Sequence, residues 1–242
     1  MQDSATRQEQ APTPGPGRGL RLFLDSADPV EWSAHLPRGF FHGVTTNPLL
    51  LERAGQKCTL VNLRDLARTA RDLDAREIQM QTWGHSVEQL VATGQALAEF
   101  AEPSFAVVIK IPATVEGFTA AGALRQSGHA VTMTAVYTPG QVMAAAGLGA
   151  AYAAPYLGRL DDAGRDGKQV VLTMHDILAR TGSGTRLLTA SLRTAGQVVD
   201  LAALGLDTFT FGVRVAAELL ASGMTETAAA DFQRAAEAMG EE

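Results

Sequence analysis

From residue 20 onward the chain alternates between two hydrophobic rhythms. Apolar runs of strand length occur at LRLFLDS (20–26), FHGVTT (41–46), EIQMQTW (77–83), FAVVIKI (105–111), AVTMTAV (130–136), AAYAAPYLG (150–158), RLLTASLR (186–193) and DTFTFG (207–212). Between most of them lie segments with helical spacing. In SVEQLVATGQALAEFA, for instance, Val87, Leu90, Val91, Gly94, Leu97, Ala98 and Ala101 fall on one face. Three helix starts, Ser86–Gln89, Thr138–Gln141 and Thr194–Gln197, fit a capping box, in which the hydroxyl and the Gln side chain each satisfy the other's backbone N–H. Pro139 stands at the first helical position of the second, where its missing N–H costs nothing. Each start follows a strand run closely, and short strand-to-helix loops between alternating elements predict a parallel sheet.

Eight strands in about 190 residues, alternating with helices, predict an α/β fold: a single (β/α)8 TIM barrel over residues 20–242. An open doubly wound sheet is the rival, but no Gly-x-Gly-x-x-Gly follows the first strand. Residues 1–19, MQDSATRQEQAPTPGPGRG, are polar and rich in Pro and Gly, and predict a disordered N-terminal arm outside the barrel.

Composition adds mainly exclusions. With 46% hydrophobic residues and a mean hydropathy of +0.02, the chain has the makings of an ordinary globular core. A net charge of −6 argues against nucleic acid or an anionic membrane as partner, while leaving room for a phosphate site built from a local pair of arginines. Cys58 is the sole cysteine, so neither an intrachain disulfide nor a multi-cysteine zinc site can form, which fits a reducing cytoplasm. No apolar stretch is long enough to span a membrane, and no signal-peptide core is present.

Against that background one residue stands out. FAVVIKIPATVEG (105–117) sets Lys110 in the middle of a run that should be buried. An unpaired buried ammonium costs several kcal/mol, so such a group pairs or gives up its proton. Catalytic groups in a barrel sit at the C-terminal ends of the strands. Taking the late position of each run gives Asp25, Thr45 with Asn47, Gln81, Lys110, Thr134, Tyr156 with Arg159, and Ser191 with Arg193. The first seven strands thus each deliver a polar side chain to one rim. A desolvated lysine loses its proton more easily, and the neutral amine attacks carbonyls. The imine it forms, once protonated, is an electron sink that permits carbon–carbon cleavage without a metal.

LFLDSAD, GVTTNPLL, VVIKIPATVEG, TAVYTPGQ, APYLGRLDD and LLTASLRT together resemble the transaldolase family, in particular its short fructose-6-phosphate-aldolase-like branch, over residues 20–215. The resemblance implies Schiff-base aldol chemistry on sugar phosphates with no cofactor and no metal. It implies that Lys110 forms the imine, that Asp25 contacts substrate hydroxyls and assists proton transfer, and that Thr134 and Gln81 hold a catalytic water. Thr45 and Asn47 are implied in substrate binding, and Arg159, Ser191 and Arg193 in binding the phosphate. A planar guanidinium pair with a hydroxyl also suits a phosphate dianion on physical grounds. Two positions separate the branches: Gln81 and Tyr156 match the aldolase-like one, where classical transaldolases commonly carry Glu and Phe. A tyrosine at the rim acts as a general acid–base provided its surroundings lower its pKa toward working pH. TWGHS after Gln81 departs from both branches and is expected to bring Trp83 and His85 to the rim, where they reshape the acceptor pocket. Family members of this length often assemble from pentamer rings, so a homo-oligomer, pentamer or decamer, is expected, with AAADFQRAAEAM near the C-terminus available for an interface.

The remaining features carry less. Histidines at 35, 42, 85, 129 and 175 lack metal-site spacing. Cys58 opens a predicted helix and is read as a packed bystander, and LDDAGRDG (160–167) is read as the loop after the sixth strand because it lacks EF-hand spacing. A free fructose-6-phosphate aldolase rather than a transferase fits the same residues. A sugar-phosphate isomerase or epimerase would leave Lys110 unexplained, and a non-catalytic binding barrel would leave the whole set of polar rim residues unexplained.

Overall fold

In the computed structural model, which describes residues 19–240, the predicted alternation is realised strand by strand. The order is β1 (Arg21–Asp25), α1 (Pro29–His35), β2 (Gly43–Thr45), α2 (Pro48–Arg53), α3 (Leu60–Asp72), β3 (Glu77–Gln81), α4 (Val87–Ala98), β4 (Ala106–Pro112), α5 (Val115–Gln126) and β5 (Val131–Val136). It continues with α6 (Pro139–Leu148), β6 (Tyr152–Pro155), α7 (Leu157–Asp162), α8 (Gly167–Arg180), β7 (Arg186–Leu187), α9 (Ala195–Ala203), β8 (Thr208–Phe211), α10 (Val213–Leu220) and α11 (Gly223–Gly240). All strand pairs are parallel, in the order β7-β6-β5-β4-β3-β2-β1-β8, and a bridge from Thr189 to Phe209 joins the two ends. The sheet therefore closes as a (β/α)8 barrel. Most of the predicted arm, residues 1–18, lies outside the described residues.

Alternation along β4 shows how the sequence makes this architecture. Val107, Ile109 and Ile111 belong to the layer between sheet and helices, which also contains Leu97, Leu124 and Met133. Val108 instead joins Phe23, Tyr152, Ala154 and Leu188 in a small separate core on the barrel axis. Lys110 lies two residues beyond Val108 and so, by the strand period of two, on the same axial side.

Below that apolar layer the barrel interior is polar. The Glu77 carboxylate, 4% exposed, accepts from Tyr152 Oη and Gln79 Nε2, each at 2.8 Å. Thr132 Oγ1 donates to Gln79 Oε1 at 2.9 Å, Arg21 bonds Tyr152, and Arg21 and His42 both approach Glu77 at 3.6 Å. Burial beside Glu77 pushes the Tyr152 phenol up. A buried carboxylate is tolerable there because its lone pairs are filled and a cation faces it.

The helix starts agree in part with expectation. Ser86, Thr138 and Thr194 each cap their helix by accepting the N–H three residues on. The reciprocal bond closes a full capping box only at Thr138–Gln141. Gln89 and Gln197 reach one residue further back, to the N–H groups of His85 and Arg193.

The sixth and seventh predicted strands are the most overlong. The sixth stops at Pro155, and the chain turns directly into α7, so Leu160–Asp162 of the predicted loop are helical. The seventh is hydrogen-bonded as a strand only at Arg186–Leu187, continuing as single bridges from Thr189 and Ala190. Cys58 is exposed and precedes Thr59, the true N-cap of α3. The C-terminal α11 has no buried residue, and Met224, Phe232 and Met239 are 74–87% exposed. Among the described residues no helix is long and apolar enough to cross a membrane.

Candidate active site

Lys110 stands on β4 in register with Gln81 of β3 and Thr132 of β5, and is 4% exposed. Burial holds its amine below the ordinary lysine pKa, with the Asp25 carboxylate pulling the other way. Desolvation wins because one carboxylate cannot replace the hydration of a fully enclosed ammonium. A cavity of about 190 Å³ opens above it, walled by Asp25, Asn47, Thr134, Tyr156 and Thr210 among others.

Asp25, the last residue of β1, is fixed from the side. Thr45 Oγ1 donates to Asp25 Oδ1 at 2.7 Å and is itself hydrogen-bonded to Thr210 Oγ1. Thr45 is fully buried and off the cavity wall, so this predicted substrate contact reaches the site through Asp25. Asn47 does line the cavity. Its Oδ1 accepts the Leu50 N–H at 3.0 Å and caps α2, which leaves the Nδ2 hydrogens to face the cavity.

Tyr156 is the N-cap residue of α7 rather than a strand residue. Its hydroxyl is 2.9 Å from Thr134 Oγ1, and its ring meets Tyr137 edge-on at 5.9 Å. Burial raises the phenol pKa, the Thr134 bond opposes this, and Asp25 adds to the rise. The lowered pKa on which a base role for this tyrosine depended is not what burial produces: the shift is upward, which favours the protonated phenol, a hydrogen-bond donor.

The backbone is irregular where these groups meet. Pairing of β5 with β6 slips between Met133 and Val136, with Ala135 at φ +54°, and Ser191 sits at φ +59°. Each left-handed non-glycine residue costs about 1–2 kcal/mol, which the surrounding packing must supply. The bulge lies next to Thr134 and helps aim its side chain into the cavity.

Arg159 and Ser191 lie between this cavity and a wider open basin of about 810 Å³, which they also line. Arg193 lines the basin only. Its Nη2 donates to the Gly158 carbonyl at 3.0 Å and pairs with Asp162. The approach is so close that a Cβ on Gly158 would lie 2.4 Å from the Ser191 carbonyl oxygen and 2.8 Å from Arg193 Nε.

Of the ten predicted site residues, the cavity brings together Lys110, Asp25, Asn47, Thr134, Tyr156, Arg159 and Ser191. Gln81 pairs with Lys110 along the sheet but is off the cavity wall. Trp83 is half-buried against the sheet–helix core and His85 is exposed, and neither lines the cavity. Sequence reasoning missed Thr210 and Arg53, both on the wall. Thr210 was legible in the Thr-x-Thr alternation of DTFTFG; Arg53 carried no local signal. Among the described residues no three His, Cys, Asp or Glu side chains are grouped to hold a metal.

Residues 22–242 match the transaldolase/fructose-6-phosphate aldolase family. A probable transaldolase of Moorella thermoacetica is 34% identical over 213 residues, covering 88% of this chain and 95% of the relative. Probable transaldolases of Maridesulfovibrio salexigens and Aquifex aeolicus are 32% and 30% identical, covering 88% and 86% of this chain and 96% and 92% of those proteins.

Proposed function

The chain belongs to the transaldolase/fructose-6-phosphate aldolase family, and on that premise we propose that it makes and breaks a carbon–carbon bond of a ketose phosphate through an imine at Lys110. The observation that carries the reading is the amine itself, enclosed at the catalytic end of β4 and held below the ordinary lysine pKa beside a carboxylate. The neutral Nζ adds to the ketose carbonyl carbon, and loss of water gives the protonated imine. Asp25 takes the proton from the hydroxyl two carbons away. The carbon–carbon bond between them breaks, its electron pair enters the imine as an enamine, and an aldehyde phosphate leaves.

The bound three-carbon enamine then has two fates. Addition to another aldehyde is transfer. Protonation at carbon followed by hydrolysis of the imine releases dihydroxyacetone. Tyr156, protonated and hydrogen-bonded to Thr134 on the cavity wall, is a suitable proton donor for release. Transfer is favoured by the names of the relatives. A cavity of about 190 Å³ is below the roughly 300 Å³ at which drug-sized ligand sites begin. It suits the three-carbon fragment, with the phosphate end in the basin beside Arg159, Ser191 and Arg193. The apolar face of α11 is assigned to a contact between copies of the chain, giving a homo-oligomer. The single barrel is a complete catalytic unit on this reading.

Borohydride reduction in the presence of fructose 6-phosphate, followed by peptide mass measurement, should find the donor fragment on Lys110. A Lys110→Ala protein that retains activity would overturn the proposal.

A further inference from the structure

The short helix α2 borders the cavity above Lys110 through Leu49, Leu50 and Arg53, and Arg53, its last residue, also lines the basin beside it. Among the described residues Arg159, Ser191 and Arg53 alone line both, so these three form the neck that a substrate must occupy if its carbon chain is in the cavity and its other end is in the basin. Four guanidinium groups surround the basin, but their commitments differ. Arg193 is paired with Asp162 and bonded to the Gly158 carbonyl, and Arg165 donates to the Tyr137 carbonyl at 3.0 Å. Arg53 has no hydrogen bond or ion pair among the described residues. Arg159 approaches the Tyr156 ring, 5.7 Å from the centroid, and its charge helps hold the Asp162 carboxyl down, but it makes no hydrogen bond or ion pair among the described residues.

The geometry points to Arg53 as a specificity-determining residue that reaches over the neck from α2 and, with Arg159, clasps the phosphate of the substrate. The inference rests on the reading that the substrate is a phosphate ester. Charge balance supports it. A phosphate monoester carries about −1.5 to −2 at neutral pH. The Asp162 carboxylate offsets Arg193, and Arg165 lines the basin but not the cavity, so at the neck itself Arg159 supplies one positive charge and Arg53 the second. Two guanidinium groups lining the same neck also offer two forks of N–H donors, enough to engage all three terminal phosphate oxygens, where a single fork engages two. Because Arg53 belongs to the same helix that Asn47 caps, phosphate capture and the placement of Asn47 over the carbon chain are mechanically linked.

The test is isothermal titration of inorganic phosphate into the wild-type protein and Arg53→Ala, together with KM for fructose 6-phosphate and for fructose. Phosphate affinity should fall about tenfold, the lower end expected for a charge-assisted contact at an exposed site. KM should rise by a similar factor for the phosphorylated sugar only. Arg53→Lys should recover part of the loss, since it keeps the charge but not the fork. Unchanged phosphate affinity in a variant that melts at the wild-type temperature, or equal KM changes for both sugars, would overturn the inference. The titration needs no turnover, so it judges Arg53 even if no imine can be trapped, a result that would instead refute the proposed chemistry.

Discussion

Replacing Tyr156 by Phe removes one oxygen atom and little else. That oxygen is 2.9 Å from Thr134 Oγ1, and Thr134 is 1% exposed. Leaving the threonine hydroxyl buried without its partner costs about 1–3 kcal/mol of stability. For a domain of this size that is a fall of a few degrees in Tm. The catalytic effect should be larger. A positioned proton donor contributes roughly 10²–10⁴-fold, or about 2.7–5.5 kcal/mol in the barrier for protonating the enamine. Release of dihydroxyacetone from fructose 6-phosphate, followed by a coupled reductase, should therefore fall by that factor. Borohydride trapping on Lys110 should survive, because imine formation does not need the phenol, and transfer to an added aldehyde should fall less than release. The deficit should hold constant between pH 6 and pH 9, since burial raises the phenol pKa and the wild-type donor stays protonated across that range. An unchanged release rate would remove Tyr156 from the mechanism and favour transfer, with Asp25 as the principal proton-handling group.

Imine trapping in a single turnover should rise with pH as the Lys110 amine loses its proton, with a midpoint below the ordinary lysine value of about 10.4. Asp25→Asn should move that midpoint lower still, because the carboxylate is what favours the ammonium; a midpoint that rises would contradict the assigned electrostatics. Glu77→Ala leaves the buried Tyr152 and Gln79 donors without their carboxylate, while Arg21 keeps contact with water, and should cost about 1–3 kcal/mol by denaturant titration; an unaltered midpoint would show the network to be inert. Gly158→Ala should displace Ser191 and Arg193 and raise KM for phosphorylated substrates about tenfold or more, the loss of one charge-assisted contact, with unphosphorylated sugars little affected; equal changes for both would show a general distortion instead. Truncation after Ala221 should reduce the number of chains per particle measured by light scattering, because α11 has no buried residue within its own chain; an unchanged number would place the interface elsewhere.

The sequence by itself determined the architecture, because local chemistry and global fold demand the same things here. β-branched runs bounded by Ser and Thr caps have one economical closure, and Val108 and Lys110 share a side simply because a strand repeats every two residues. It also marked the strand ends that bear unusual polar groups, since a lysine inside VVIKIP is costly unless it pairs or gives up its proton. The tertiary structure alone decided how those groups are used. Thr45 reads as a substrate contact until β8 brings Thr210 against it, 165 residues away, and closes it off behind Asp25. Tyr156 reads as a tunable acid–base until burial sets the direction of its pKa. Ala135 and Ser191 hold left-handed backbone that neither residue prefers, so only the packed barrel can fix it. Arg53 and Arg159 are far apart in sequence and line the same neck only because the closed sheet brings α2 and α7 to the same cavity. Burial, pairing across the barrel and enforced backbone strain are properties of the closed sheet, and no window of sequence contains them.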